Sequence, residues 1–269
     1  MSEEQAERER LRRLRGRNIR RITESLAAPT LIIAVLVIWQ FSRQLLGLSV
    51  FILPTPLEIL ERIGSDYKLL AVNSLVTIGE TLAGFVLASF IGVATAFAIF
   101  YSRLFERAVY PLLVAMQTVP KVALAPLLVL YLGYDFAPKC FLAFILAYFP
   151  IVIATVVGLR ALDSAMVNLV RSMGASEWQT FFKIRLPYAL PSIFGGLKVG
   201  ISLAVIGAVI GEYVAAERGL GYLQLQASSQ FDTVLSFAAL VIISIIGIVT
   251  FWALEVFEKR VVFQREAAK

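Results

Sequence analysis

Three ionisable side chains, Glu80, Lys121 and Glu212, interrupt long apolar runs. A charge at the centre of a bilayer costs about 2.5–3.5 kcal/mol on insertion scales, so each is a functional candidate by default. Lys121 follows Pro120 and precedes Pro126. Two prolines in one span interrupt its hydrogen-bond ladder, which is tolerated where the segment is buried in protein or lines a cavity. Met116, Gln117, Thr118, Val119, Pro120 and Lys121 are therefore expected near a pathway through the membrane. Glu80, in the same apolar context, and Glu212, with its neighbour Tyr213, are the candidate counter-ions. Left unpaired, Lys121 favours an anionic solute; paired with either acid, it leaves a near-neutral pathway or merely fixes helix register.

What the chain lacks narrows the chemistry further. It has no His, hence no imidazole base and no His metal site. The lone Cys140 permits no intrachain disulfide. No GxxxxGK[ST] occurs, and the nearest string, Gly195-Gly196-Leu197-Lys198, is followed by Val199 inside an apolar run. Without a metal-ligand cluster or paired catalytic acids, an enzyme is not expected, and neither is a resident cofactor.

The elements that must position these residues are membrane spans. Of 269 residues, 59% are hydrophobic and 16% charged, against about 45–50% and 25% in soluble domains. Six apolar stretches are long enough to cross: about Leu26 to Leu46, Ser74 to Phe100, Tyr110 to Tyr131, Ala137 to Leu159, Ala189 to Val209 and Val234 to Phe257. The chain divides into an Arg-rich arm (1–25), a six-span domain (26–258) and a tail (259–269). Arg and Lys concentrate in the arm, the 160–187 loop and the tail, so the positive-inside rule puts both termini in the cytoplasm. The formal charge of +6 is read as topology, not as nucleic-acid binding. Gly84, Ala88, Gly92 and Ala96 form a ribbon of small residues for close helix contact, within the chain or between subunits. Tyr131, Tyr134 and Tyr213 also read as an aromatic belt at the outer ends of spans.

The 160–187 loop carries the most local information. Its pattern predicts a short helix over Ser164 to Met173 with Gly174 as a left-handed cap. Ser176 and Gln179 then form a capping box that opens a second short helix, which Pro187 ends before Pro191 enters the next span. Trp178, Phe181 and Phe182 cluster on that helix. Such aromatics suit a protein partner's pocket or a lipid interface equally.

The string from Arg171, RSMGASEWQTFFKIRLPYALPSIFGGLKVG, resembles the EAA loop of permease subunits of ATP-binding-cassette importers. Gly174, Ile184, Leu186 and Pro187 stand at the positions of that loop's core. VPKVALAPLLVLYLGY, GEYVAAERGLGYL and FILPTPLEIL extend the likeness to the subfamily serving nitrate, sulfonate, taurine and thiamine-precursor uptake. Where the family has Glu-Ala-Ala, this chain has Asn168-Leu169-Val170, so a charge is missing from the first coupling segment. The resemblance implies an all-α, six-span type I importer fold with a cytoplasmic coupling helix between spans 4 and 5, in a bacterial inner membrane. It implies ATPase contact by Gly174, Ala175, Ser176, Trp178, Phe181, Phe182, Ile184, Leu186 and Pro187. The implied partners are an ATPase dimer carrying ATP and Mg, a second permease copy in a homodimer, an extracytoplasmic binding protein and the lipid bilayer. A thiamine-precursor-like heterocycle is the expected solute, with sulfonate, taurine or nitrate anions as the alternative. An ion-coupled carrier is the rival from another class, although no internal repeat is visible.

Overall fold

Runs of apolar residues free of strand-like alternation have formed helices throughout the described part of the chain. The computed structural model describes residues 29–45, 47, 49 and 51–266. The Arg-rich arm, the start of the first apolar stretch and the end of the tail lie outside them. In order the elements are α1 (Pro29–Leu45), α2 (Pro56–Ser65), α3 (Tyr67–Tyr101), α4 (Arg103–Gln117), a 3-10 turn (Lys121–Leu124), α5 (Ala125–Leu132), α6 (Phe136–Arg160), α7 (Ser164–Ser172), α8 (Glu177–Thr180), a π-helical turn (Phe181–Arg185), α9 (Leu186–Ala215), α10 (Leu220–Ser229) and α11 (Thr233–Glu266).

Four helical runs are long and apolar enough to cross a membrane: α3, α6, the run from Glu177 to Val214, and α11. A fifth crossing exists only if α4 and the segment Lys121–Leu132 count together, because the chain bends there by 93°. The described part of the first stretch, α1, spans about 26 Å at 1.5 Å per residue. The expected third span is thus two half-helices. Pro120 has no N–H to continue α4 and disfavours helical backbone at Val119.

α3, α6 and α9 form a tightly packed slab. A Cβ at Gly84 would lie 2.5 Å from the Ala143 Cβ, and one at Gly207 would lie 2.7 Å from the Ala143 Cα. Glycines from both flanking helices therefore let α3 and α9 approach α6 at backbone distance, where dispersion and close packing supply most of the association energy available in lipid. Ala88 and Ala96, of the small-residue ribbon, are fully buried in the same contacts. The ribbon serves intrachain packing. Outward-facing Leu75, Phe90, Leu130 and Ile248 are exposed, as a lipid-facing surface requires.

α2 lies across one end of the bundle. The Thr55 hydroxyl accepts from the Glu58 N–H, and the Glu58 carboxylate accepts from the Thr55 N–H at 2.8 Å. Arg43 of α1 donates to the other Glu58 oxygen at 2.6 Å. The Thr55 N–H, followed by the Arg43 guanidinium, holds the Glu58 carboxyl below its ordinary range. A depressed carboxyl contributes stability above its unfolded pKa and loses it as pH falls through the folded value. Protection of the amides of residues 57–59, taken relative to intrinsic exchange at each pH, is expected to fall as pH is lowered below the ordinary glutamate range, about 4.3. Thr55→Ala should produce the same loss of protection at neutral pH. Protection in the variant equal to wild type would dissociate the cap from α2 stability.

The end bearing α7 and α8 follows the local signals. Gly174 has φ +84°, and its N–H donates to the Arg171 carbonyl while that of Ala175 reaches Val170. The Ser176–Gln179 capping box is formed on both sides. Pro187, however, does not end the second helix. The π turn runs into α9 without a break, Pro187 lies in the first turn of α9, and Pro191 lies inside it. Helical backbone suits proline's fixed φ there, and a first-turn N–H is dispensable.

Candidate functional site

The break after α4 puts Lys121 and Gln117 on a cavity of about 740 Å³. Leu146, Phe149, Pro150, Ile153, Ala154 and Val157 of α6 form one wall, and Ser192, Gly195, Gly196, Val199 and Leu203 of α9 form the other. The Lys121 Nζ donates to the Gln117 carbonyl at 3.0 Å and lies 5.1 Å from the centre of the Phe149 ring. Among the described residues it makes no ion pair. One ammonium, one side-chain amide and one hydroxyl thus stand in an otherwise apolar concavity, the usual composition of a small-molecule site. Thr118 and Pro120 shape the break but are not in the lining, and the Thr118 hydroxyl is turned back on the Ala115 carbonyl.

Glu80 and Glu212 do not face Lys121, contrary to the sequence expectation. The Glu80 carboxylate pairs with Lys139 at 2.9 Å. Lys139 starts α6, ten residues from Phe149, which is about 15 Å along the helix. Glu212 accepts from the Thr77 hydroxyl at 2.6 Å and the Gly221 N–H at 2.5 Å. The Thr77 hydroxyl oxygen accepts from the Leu220 N–H, and the Asn73 side-chain oxygen from the Gly219 N–H. Three successive N–H groups at the start of α10 are thereby held by α3 and α9. Gly219 has φ +119°, and a Cβ there would lie 2.2 Å from a Glu212 carboxylate oxygen. The Tyr213 hydroxyl donates to the Gln224 side chain of α10 at 2.6 Å, away from the cavity. The ionisable groups thus sort into two sites, a cavity cation and a buried latch.

At the α7–α8 end, Trp178 is 71% exposed and packs at a tilt against Phe182, with ring centres 4.4 Å apart and planes 52° apart. Phe181 is buried against Phe97 and Tyr101, and the Arg185 guanidinium donates to the Leu159 carbonyl while facing the Phe100 ring. One aromatic anchors the segment to the slab while the neighbouring pair faces outward. Ser176 and Thr180 are spent on local caps, and Ile184 and Leu186 are half-buried where the segment joins α9.

The family profile described as "Binding-protein-dependent transport system inner membrane component" matches residues 84–263, which holds the cavity, the α7–α8 segment and most of the latch. The chain belongs to this family. It is a permease subunit of an ABC importer, a transport subunit and not itself an enzyme. The permease is 38% identical over 232 residues to the formylaminopyrimidine transport permease ThiX of Halalkalibacterium halodurans, covering 86% of this chain and 92% of the relative. It is 35% identical to the riboflavin transport system permease RibX of Chloroflexus aurantiacus, covering 91% of each. It is 29% identical to a putative aliphatic sulfonates transport permease, SsuC of Bacillus subtilis, over 90% of this chain and 87% of that one. Its fold is similar to a chain of the inward-facing MetNI methionine ABC transporter, with a TM-score of 0.62 at 18% identity, covering 74% of the permease and 97% of that chain.

Sequence reasoning about the permease missed Lys139, Asn73 and Thr77, and the α6 and α9 cavity walls. Lys139 follows Asp135 and Pro138 and so reads as part of a connecting loop. The available signal was GEYVAAERGLGYL, whose Glu212, Gly219 and Gly221 close on one another in space.

Proposed function

We propose that this subunit forms half of the translocation pathway of a bacterial inner-membrane importer, the other half being a second copy. In this reading six spans place both termini in the cytoplasm, and the cavity at Lys121 lies on the solute's route. The α7–α8 segment docks the ATPase, where ATP and Mg reside, and the end bearing α2 and α10 receives the binding protein. The observation that carries the reading is the cavity at a broken span, flanked by one end rich in exposed aromatics and an opposite end closed by short helices.

A heterocycle of the kind named for ThiX and RibX is the first reading of the solute, on similarity. An anion is the second, favoured by the lack of an ion pair to Lys121 among the described residues. Reconstitution with the cognate ATPase and binding protein in proteoliposomes tests both. Uptake should require ATP and the binding protein; uptake driven by an ion gradient alone would replace this function with a secondary carrier. Lys121→Met should lower uptake of an anionic solute about tenfold or more, equivalent to roughly 1.4 kcal/mol of lost stabilisation. Lys121→Arg should retain most of it. Equal uptake by all three proteins would leave the heterocycle and remove the anion.

A further inference from the structure

Glu80, Glu212 and Lys139 are 0%, 1% and 6% exposed, so little solvent contact dilutes their charges. Gly211 on α9 packs against Lys139 itself, where a Cβ would lie 2.8 Å from the Lys139 Cα, so α3, α6 and α9 meet at this point. Fully ionised, the three groups carry one net negative charge in a dry interior, among the costliest arrangements a membrane protein can hold. Lys139 is the one cation paired with either acid among the described residues.

Hydrogen-bond accounting points the same way. Both Glu212 oxygens have donors, from Thr77 and Gly221. The Lys139 ammonium meets one Glu80 oxygen at 2.9 Å, and the other Glu80 oxygen has no donor among the described residues. Thr77, three residues before Glu80 on α3, donates to Glu212, and Gly211 packs against the Lys139 that pairs with Glu80, so the two carboxyl groups are neighbours. Two carboxylates so placed repel, whereas a carboxylic acid beside a carboxylate supplies the missing donor. An orphaned buried carboxylate oxygen next to a second carboxyl is a place for a proton.

We propose that the Glu80–Glu212 pair is a proton-binding site, holding one proton on Glu212 that is donated to Glu80, which stays ionised against Lys139. The triad is then neutral, and Glu212 can still accept from the Thr77 hydroxyl and the Gly221 N–H that fix the start of α10. Glu212 is a positioning residue for the α9–α10 turn, and its proton is a structural part of the latch. This inference does not depend on the solute or on the cavity.

Infrared difference spectroscopy on the full-length permease bound to its ATPase in lipid nanodiscs tests it. Wild type at neutral pH should show a carboxylic-acid C=O stretching band that shifts in deuterium oxide, and Glu212→Gln should abolish it. The melting temperature of Glu212→Gln should stay within about 2 °C of wild type, because the amide replaces the acid as donor and leaves charge unchanged. The wild-type band can be read even if a variant fails to assemble. Absence of the band from wild type would overturn the proposal. So would its persistence in Glu212→Gln, or a sodium requirement for stability without the band, which would assign the site to a metal cation instead.

Discussion

Lys139→Ala is expected to be the most destabilising single substitution in the described bundle. Removing one partner of a buried ion pair costs about 3–5 kcal/mol, because the remaining charge is left uncompensated. Here the stranded carboxylate is that of Glu80, with Glu212 beside it, and both are buried. The damage should extend to α10, whose first N–H groups depend on the same network. Thermal melting of the purified permease would read the loss, and proteolysis at the α9–α10 turn would locate it. Combining Lys139→Met with Glu80→Gln keeps the volume while removing both charges, a replacement often neutral or stabilising. The double variant should therefore recover most of the stability. Full recovery by Lys139→Met alone, with Glu80 left in place, would mean that Lys139 acts by shape and not by charge.

Trp178→Ala is expected to abolish most transport while leaving the slab intact. The Trp178 ring is turned outward and braced by Phe182, while Phe181 keys the segment into α3 through Phe97 and Tyr101. A large ring held rigidly on an exposed face is the usual form of an interface anchor, and truncating one costs about 2 kcal/mol or more, roughly thirtyfold in affinity. Solute-stimulated ATP hydrolysis and ATPase co-purification should both fall, with melting unchanged. Phe181→Ala should instead lower the melting temperature, since that ring is in the core. If Trp178→Ala retained normal ATPase association and lost only lipid affinity, the segment would be an interfacial helix and not a partner site.

Features written in short stretches of chain were legible in advance. The Ser176–Gln179 box, the left-handed Gly174 and the half-helix break at Pro120 each rest on a few adjacent residues, so local stereochemistry decides them. Apolar length likewise marked α3, α6, α9 and α11 as spans. The prolines beside Lys121 signal the interrupted helix, and Lys121 and Gln117 line the cavity at that break. The pairing of the charges was not legible, because it depends on how three helices meet. Lys139 is three residues into α6 and looks solvated until the Gly211 contact draws α9 against it. Once α4 breaks and bends away, Lys121 lies beside Phe149, a different level of α6 from the one that Glu80 engages. The π turn was missed as well, since Phe181–Arg185 is as good an α-helical string as a π-helical one.

That turn sets the rotational phase of everything after it. A π turn holds one residue more than the α turn it replaces, and each residue of an α-helix advances the side-chain direction by about 100°. Closing these same residues into regular α form, with none deleted, would turn all of α9 by about that angle. Ser192, Gly195 and Gly196 would leave the cavity wall, and Gly207 and Gly211 would leave their seats on α6. The wide turn before α9 therefore absorbs one residue and keeps the α9 glycines aimed at α6, so a one-residue deletion inside that turn should be tolerated where the same deletion inside α9 would not be.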